Sequence, residues 1–327
     1  MSAAIPVTLI SGYLGTGKTT LVNALLRNAA GRRLAVLVNE FGSLPIDGDL
    51  IEAREANLIS ISGGCICCSF GSDLVAALID ITGRGEGIDH LLIETSGVAL
   101  PGSIVQSIGL LTGLAIDGVV VLADAETVRE RACDRYMSDT VRGQLAGADL
   151  IVLNKIDLAP PEQVAATSRW LAGIAPGARI LPARNAGVPI EVILGGLSNA
   201  QPADNRPQPL KHQTADFATL SLEIRHPVDA DKLAHVLADP RLGLLRAKGF
   251  VRGLNGEFVT LHVVGRRASV VPAPARIEGH GRLVCIGLAA GMDRDAIEAA
   301  VAERHASSEN SSILPAEMES GSTCSEF

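Results

Sequence analysis

Residues 5 to 20 read IPVTLISGYLGTGKTT, an apolar run that passes directly into a glycine-rich turn and then into a helical pattern. From Gly12 to Thr19 every fixed position of G-x-x-x-x-G-K-[ST] is filled. Gly12, Gly15 and Gly17 let successive backbone N–H groups converge on phosphate oxygens with no Cβ in the way, and the helix that follows points its positive end at the same spot. Lys18 is placed to reach the β- and γ-phosphates, Thr19 offers a hydroxyl to Mg²⁺, and Thr16 and Thr20 flank the pair. Leu21, Leu25 and Leu26 give the helix an apolar face to lay on a sheet. The ligand implied is a nucleoside triphosphate.

Downstream, the same alternation of buried strand and helix recurs. Apolar runs end at Asn39, Ser62, Glu94, Asp124 and Asn154, and Arg179 to Leu181 supplies a further short one. Continuous rather than alternating apolar strands are what a parallel sheet covered on both faces requires. The fold class expected is α/β, a doubly wound parallel-sheet P-loop NTPase domain over residues 1–200. Pro202, Pro207 and Pro209 among polar residues mark residues 201–215 as a linker. Residues 216–306 read as a second, smaller α+β domain, with strands at Phe217 to Arg225, at Phe250, at Phe258 to Val264 and at Leu283 to Gly287 and helices at Asp229 to Ala238 and Asp293 to Glu303. Residues 307–327 are Ser/Glu-rich, lack periodicity and are expected to be disordered.

Composition narrows the partners. A formal charge of −8 and 3% aromatic content offer neither a basic footprint nor stacking platforms, so nucleic acid is not expected. No apolar stretch reaches the length of a membrane span, and the N-terminus runs into the first strand without a leader pattern, so the expectation is a cytoplasmic chain with no membrane partner.

Three clusters carry the chemistry. Glu94 closes an apolar strand and is followed by Gly97, where P-loop proteins place a Mg²⁺-side acid and a γ-phosphate-sensing glycine; with Lys18 these form the catalytic set. Asn154-Lys155-Ile156-Asp157 follows another strand on the same edge of the sheet. There an aspartate can accept the N1 and N2 donors of guanine, and the lysine stem can pack on the purine. Cys65, Cys67 and Cys68 crowd three of the six cysteines into four positions, too tight for a long-range disulfide framework. Three thiolates suit Zn²⁺ or Cu(I) and leave a fourth tetrahedral position open, as a site that releases its metal would need. The loop from Glu40 to Asp47, rich in carboxylates and turn formers, sits where P-loop GTPases carry their first switch.

With the Gly12 loop, VNEFG, GGCICCSF, ETSG and NKID in this order, the chain resembles the CobW family of P-loop GTPases, metallochaperones related to HypB and UreG; LLRAKGFVRG and LVCIGL resemble that family's C-terminal domain. The resemblance implies GTP hydrolysis coupled to delivery of Zn²⁺ to an apo client protein, with Cys65, Cys67 and Cys68 as carriers. Glu40 and Asp47 match the acidic switch loop and join Thr19 and Glu94 as candidate Mg²⁺-side or switch residues. Two departures stand out. His212 alone remains of the histidine-rich tract many members carry, and Ser43 replaces an acid. The alternatives are a GTPase inserting cobalt or iron for cobalamin synthesis or nitrile hydratase maturation, and a regulatory switch with a structural zinc. GTP and GDP are the expected nucleotides, and a homo-oligomer stays open.

Overall fold

The computed structural model describes residues 4–29, 31–38, 58–61, 72–84, 87–195, 208–211, 216–273, 277 and 279–303. Strands β1 (Ile5–Gly12), β2 (Leu34–Val38), β3 (Leu58–Ile61), β4 (His90–Glu94), β5 (Leu114–Asp124), β6 (Leu150–Asn154) and β7 (Arg179–Pro182) form a seven-stranded sheet in the order β3-β2-β4-β1-β5-β6-β7. Every pairing in it is parallel. The crossovers run through α1 (Lys18–Arg27), α2 (Ser72–Arg84), α3 (Pro101–Gly109), α4 (Val128–Arg131), α5 (Ser138–Ala146) and α6 (Pro161–Ile174), and α7 (Ile190–Leu194) follows β7.

Strands β1, β2, β4, β5 and β6 bury both faces. In β5, Val119, Val121 and Ala123 join the core under α2, α3, α5 and α6, while Val120 and Leu122 join a second core with Leu21 and Leu25 of α1 and Val192 and Ile193 of α7. This two-sided burial is why the strands read as apolar runs and why the doubly wound fold is as expected from them. The strand ends at Gly12, Glu94, Asp124 and Asn154 all lie on the carboxyl edge, where an open α/β sheet binds its ligand.

The second sheet is antiparallel. It contains β8 (Gln208–Lys211), β9 (Asp216–Ile224), β10 (Leu244–Arg252), β11 (Phe258–Val264), β12 (Arg267–Pro272) and β13 (Gly281–Leu288), in the order β12-β11-β10-β13-β9-β8. Helices α8 (Ala230–Leu237) and α9 (Arg294–Ala302) cover one face through Leu233, Leu237, Ile297 and Val301. Asp229 and Asp293 cap these helices by accepting from the backbone N–H groups of Lys232 and Ala296.

Two features depart from the sequence reading. Gln208–Lys211, inside the stretch read as a linker, pairs with β9 as an edge strand. Pro209 is tolerated there because an edge strand need not donate on both sides. The half-exposed strand β12 also went unread, since its RASVVP sequence shows neither an apolar run nor strict alternation. The tail from Ser307, and the rest of the linker, lie outside the described residues.

The two sheets meet through a shared core and a line of charged side chains. Phe217, Leu245, Val264 and Ile286 of the second sheet pack with Val120, Leu122, Val192 and Ile193. β5 bulges at Asp117, between the pairs Val7–Ile116 and Thr8–Gly118, and the bulge turns the carboxylate toward the second sheet. A matching irregularity in β10, between Leu244 and Arg246, presents Arg246. Its guanidinium donates to Asp117 Oδ2 and, at 2.7 Å, to the Ile193 carbonyl. His90 Nε2 lies 3.8 Å from Asp117 Oδ2 and 2.8 Å from Thr8 Oγ1, and His262 Nδ1 lies 3.5 Å from Asp117 Oδ1.

Burial alone would raise the Asp117 carboxyl, but Arg246, His262, His90 and Lys248 together hold it well below the usual carboxylate range. Burial pushes His90 down to about 3 and Lys248 down to about 8. Further along the seam, Arg267 Nε donates to Asp149 Oδ2 at 2.7 Å, and Arg179 Nε donates to the Leu244 carbonyl at 2.8 Å.

Candidate functional site

The loop between β1 and α1 has the backbone its sequence demands. Gly12, Gly15 and Gly17 have φ of +136°, +74° and +103°. A Cβ on Gly12 would fall 2.4 Å from the Leu122 carbonyl oxygen, and one on Gly17 would fall 2.6 Å from Asn154 Nδ2. Both positions are therefore closed to any side chain, which is the cradle a phosphate-binding loop requires. Unlike α8 and α9, α1 begins at Gly17 with no side-chain cap. No acidic residue stands in its first turn, so this helix end offers its positive dipole to an external anion.

Within the loop, Thr16 Oγ1 donates to the Tyr13 carbonyl at 2.8 Å and Lys18 Nζ reaches the same carbonyl at 3.3 Å. Lys18 is buried, and Thr20 is half-buried one residue beyond Thr19 on α1. Thr19 Oγ1 donates to Glu94 Oε1 at 2.8 Å, joining the start of α1 to the end of β4. A hydroxyl and a buried carboxylate side by side at a helix N-terminus form a hard, oxygen-only donor set of the kind Mg²⁺ takes. These residues fit that ion.

Asn154 has a role that its motif does not announce. Its Nδ2 donates to the Thr16 carbonyl at 2.9 Å and its Oδ1 accepts from the Ala186 N–H at 2.7 Å. Both ends of the amide brace protein, tying the phosphate loop to the turn after β7. In that turn Asn185 and Ala186 take φ of +48° and +52°. Lys155, at φ +61°, donates from Nζ to Asp124 Oδ2 at 2.8 Å, and Asp157 is exposed. The sequence reading did not single out Asp124, Asn185 or Ala186. Asp124 ends the strand beside the one that carries Lys155, and that adjacency was the available signal.

Gly97 lies against the phosphate loop: a Cβ there would sit 2.4 Å from Leu14 Cδ2 and 2.9 Å from the Leu14 nitrogen. Thr95 Oγ1 donates to Ser11 Oγ at 3.0 Å, fastening the residue after Glu94 to β1. Arg131 Nη1 donates to the Leu14 carbonyl at 2.7 Å, and its guanidinium lies 5.1 Å from the Tyr13 ring centroid. The structure thus brings together Gly12, Gly15, Thr16, Gly17, Lys18, Thr19, Glu94, Gly97 and Asn154. Glu40, Asp47, Cys65, Cys67 and Cys68 lie outside the described residues, and among the described residues no group of three or more His, Cys, Asp or Glu side chains could hold a metal.

Residues 6–182 match the model of the CobW/HypB/UreG nucleotide-binding domain, and residues 217–304 match that of the cobalamin synthesis protein CobW C-terminal domain. The chain belongs to the CobW family. Its CobW relatives include "Zinc chaperone CobW" of Pseudomonas aeruginosa, 31% identical over 303 residues, covering 80% of this chain and 80% of that one. "Zinc chaperone YjiA" of Escherichia coli is 30% identical over 270 residues, covering 77% of this chain and 83% of that one. A solved zinc-bound YjiA GTPase from E. coli is 25% identical with a TM-score of 0.45, covering 92% of this chain and 99% of that chain. The CobW assignment agrees with the P-loop reading, and the match to the C-terminal domain spans the second sheet from β9 to β13. No helix among the described residues is long and apolar enough to cross a membrane.

Proposed function

We propose that this protein is a GTP-hydrolysing metallochaperone that carries zinc and transfers it to an apo client protein. The observation that carries the nucleotide half is the Thr19–Glu94 hydrogen bond at the mouth of a cradle that Asn154 braces. Gly12, Gly15, Gly17 and Lys18 would hold the phosphates, Thr19 and Glu94 the Mg²⁺ side, Gly97 the γ-phosphate contact, and Asp157 with the Lys155 stem the guanine edge. Mg²⁺, when bound, would neutralise charge developing between the β- and γ-phosphates. Lys18 adds a fixed positive charge, and the uncapped first turn of α1 adds its amides. The Thr19–Glu94 contact holds both oxygen donors in register before the nucleotide arrives.

The zinc half is supported by the names of the relatives and by the chemistry of Cys65, Cys67 and Cys68. Zinc is cargo here rather than a resident cofactor, and three thiolates would leave one position for a client's ligand. Glu40 and Asp47 would complete the nucleotide-responsive loop. Residues 1–200 would act as the nucleotide domain and residues 216–306 as its partner domain, in a cytoplasmic chain that self-associates or meets its client during transfer. The test is zinc affinity measured anaerobically against a competing chelator, with Mg²⁺ and a non-hydrolysable GTP analogue or with Mg²⁺ and GDP. A nucleotide-dependent difference that disappears in Cys67→Ser supports the coupling. Equal affinities overturn nucleotide-gated release by this protein alone.

A further inference from the structure

Gln144 is a long polar side chain in α5 that is 1% exposed and belongs to none of the motifs. Its Nε2 donates to the Gly97 carbonyl at 3.1 Å and to the Ala99 carbonyl at 3.0 Å. One carboxamide therefore fixes two peptide planes of the turn that follows Glu94. Because a trans peptide directs its N–H away from its C=O, holding the Gly97 carbonyl against α5 also fixes where the Val98 N–H points.

The surrounding surface is shaped for this contact. A Cβ on Gly143 would lie 2.9 Å from Leu100 Cδ2, and one on Gly147 would lie 3.0 Å from Pro101 Cγ, so the small face of α5 seats the whole turn. On its other side the turn presses Gly97 on Leu14, whose carbonyl Arg131 holds. A continuous line of contacts runs from α5 through Gly97 to the lip of the phosphate loop.

We propose that Gln144 is a positioning residue for GTP hydrolysis, setting through its paired carbonyl contacts the register in which the Gly97 turn meets the terminal phosphate. This rests on the reading of the chain as a GTPase. GDP lacks the γ-phosphate that the turn would meet, so the role belongs to turnover and to discrimination between the two nucleotides. Binding of the α- and β-phosphates should not depend on it.

The experiment compares the full-length wild type with Gln144→Met, which keeps the volume and removes both donors, and with Gln144→Glu, which keeps the shape and sets a carboxylate against two carbonyls. The readouts are kcat and KM for GTP, GDP affinity and melting temperature. Expected for Gln144→Met is a kcat lower by on the order of tenfold with GDP affinity within about twofold of wild type. Gln144→Glu should regain part of its kcat as pH falls, since a protonated carboxyl can donate to one carbonyl again, whereas the wild type should show no such recovery. A kcat within about twofold of wild type in Gln144→Met overturns the proposal. So does a parallel loss of kcat, GDP affinity and melting temperature in both variants, which marks a merely structural residue. A wild-type chain that binds GTP without hydrolysing it overturns the GTPase reading itself, and the role of Gln144 with it.

Discussion

The two ends of β5 handle polarity in opposite ways. At the carboxyl end, around Leu122 and Asp124, the sheet meets a loop whose polar groups are backbone amides, a capless helix and short-range side chains drawn largely from one contiguous motif. Nearer its start, at Asp117, the same strand meets a buried cluster whose principal partners, Asp117 and Arg246, are 129 positions apart. The first arrangement keeps its donors available for an external anion. The second pairs its main charges internally, although Asp117 Oδ1 and Arg246 Nε carry no hydrogen bond, and a carboxylate so deeply buried is tolerable only because a guanidinium is fixed beside it. Polarity held open serves ligand binding, and polarity closed on itself serves register between two sheets.

The sharpest way to break that contrast is to remove one side of the closed cluster. Arg246→Met should strand the Asp117 carboxylate and cost about 3–5 kcal/mol in a denaturant unfolding titration. Adding Asp117→Leu should restore most of that loss, because the charge left alone, more than the missing pair, is what destabilises. Nucleotide affinity of the molecules that remain folded should hardly move. The converse holds at the open end. Gly17→Ala drives a Cβ onto the Asn154 amide in a left-handed backbone, and should lower nucleotide affinity by about a hundredfold or more, roughly 2.7 kcal/mol by titration. Its stability should fall only by about 1–2 kcal/mol, the backbone cost of a non-glycine residue there.

How far each region could be read from sequence follows from the same contrast. The seven-stranded parallel sheet was legible because burial on both faces leaves unbroken apolar runs such as Val119 to Ala123, and the cradle was legible because its residues are consecutive. Asn154 was visible as part of a motif, yet its work as a brace between Thr16 and Ala186 depends on strand order, which no local pattern encodes. Asp117, Arg246, His90 and Gln144 were invisible for that reason. Each is an ordinary polar residue until the fold closes. Strand β12 escaped because an edge strand with little buried surface carries no periodic signature, and β8 because its prolines suggest a break that an edge position tolerates.

Two smaller effects sharpen the comparison. Asn154→Ala removes both links of the brace and should weaken nucleotide binding by about tenfold, roughly 1.4 kcal/mol, in an equilibrium binding assay. His90 stays neutral in the folded chain down to about 3, whereas an exposed imidazole takes up its proton near 6.5. Between those values the unfolded chain binds more protons, so stability falls as pH falls, by up to about 1.4 kcal/mol per pH unit. His90→Gln should flatten that portion of the curve, seen as a shrinking difference from wild type in urea midpoints measured at about pH 7 and about pH 5.

The shared core between the sheets also has a bearing on how the chain is made. Val120, Leu122 and Val192 lean on Phe217, Leu245, Val264 and Ile286, so a ribosome finishes the parallel sheet at Pro182 before any of the apolar side chains that cover this face have emerged. For that interval the nascent protein carries a sticky flank, the kind of surface on which growing chains aggregate and to which cellular holdases bind.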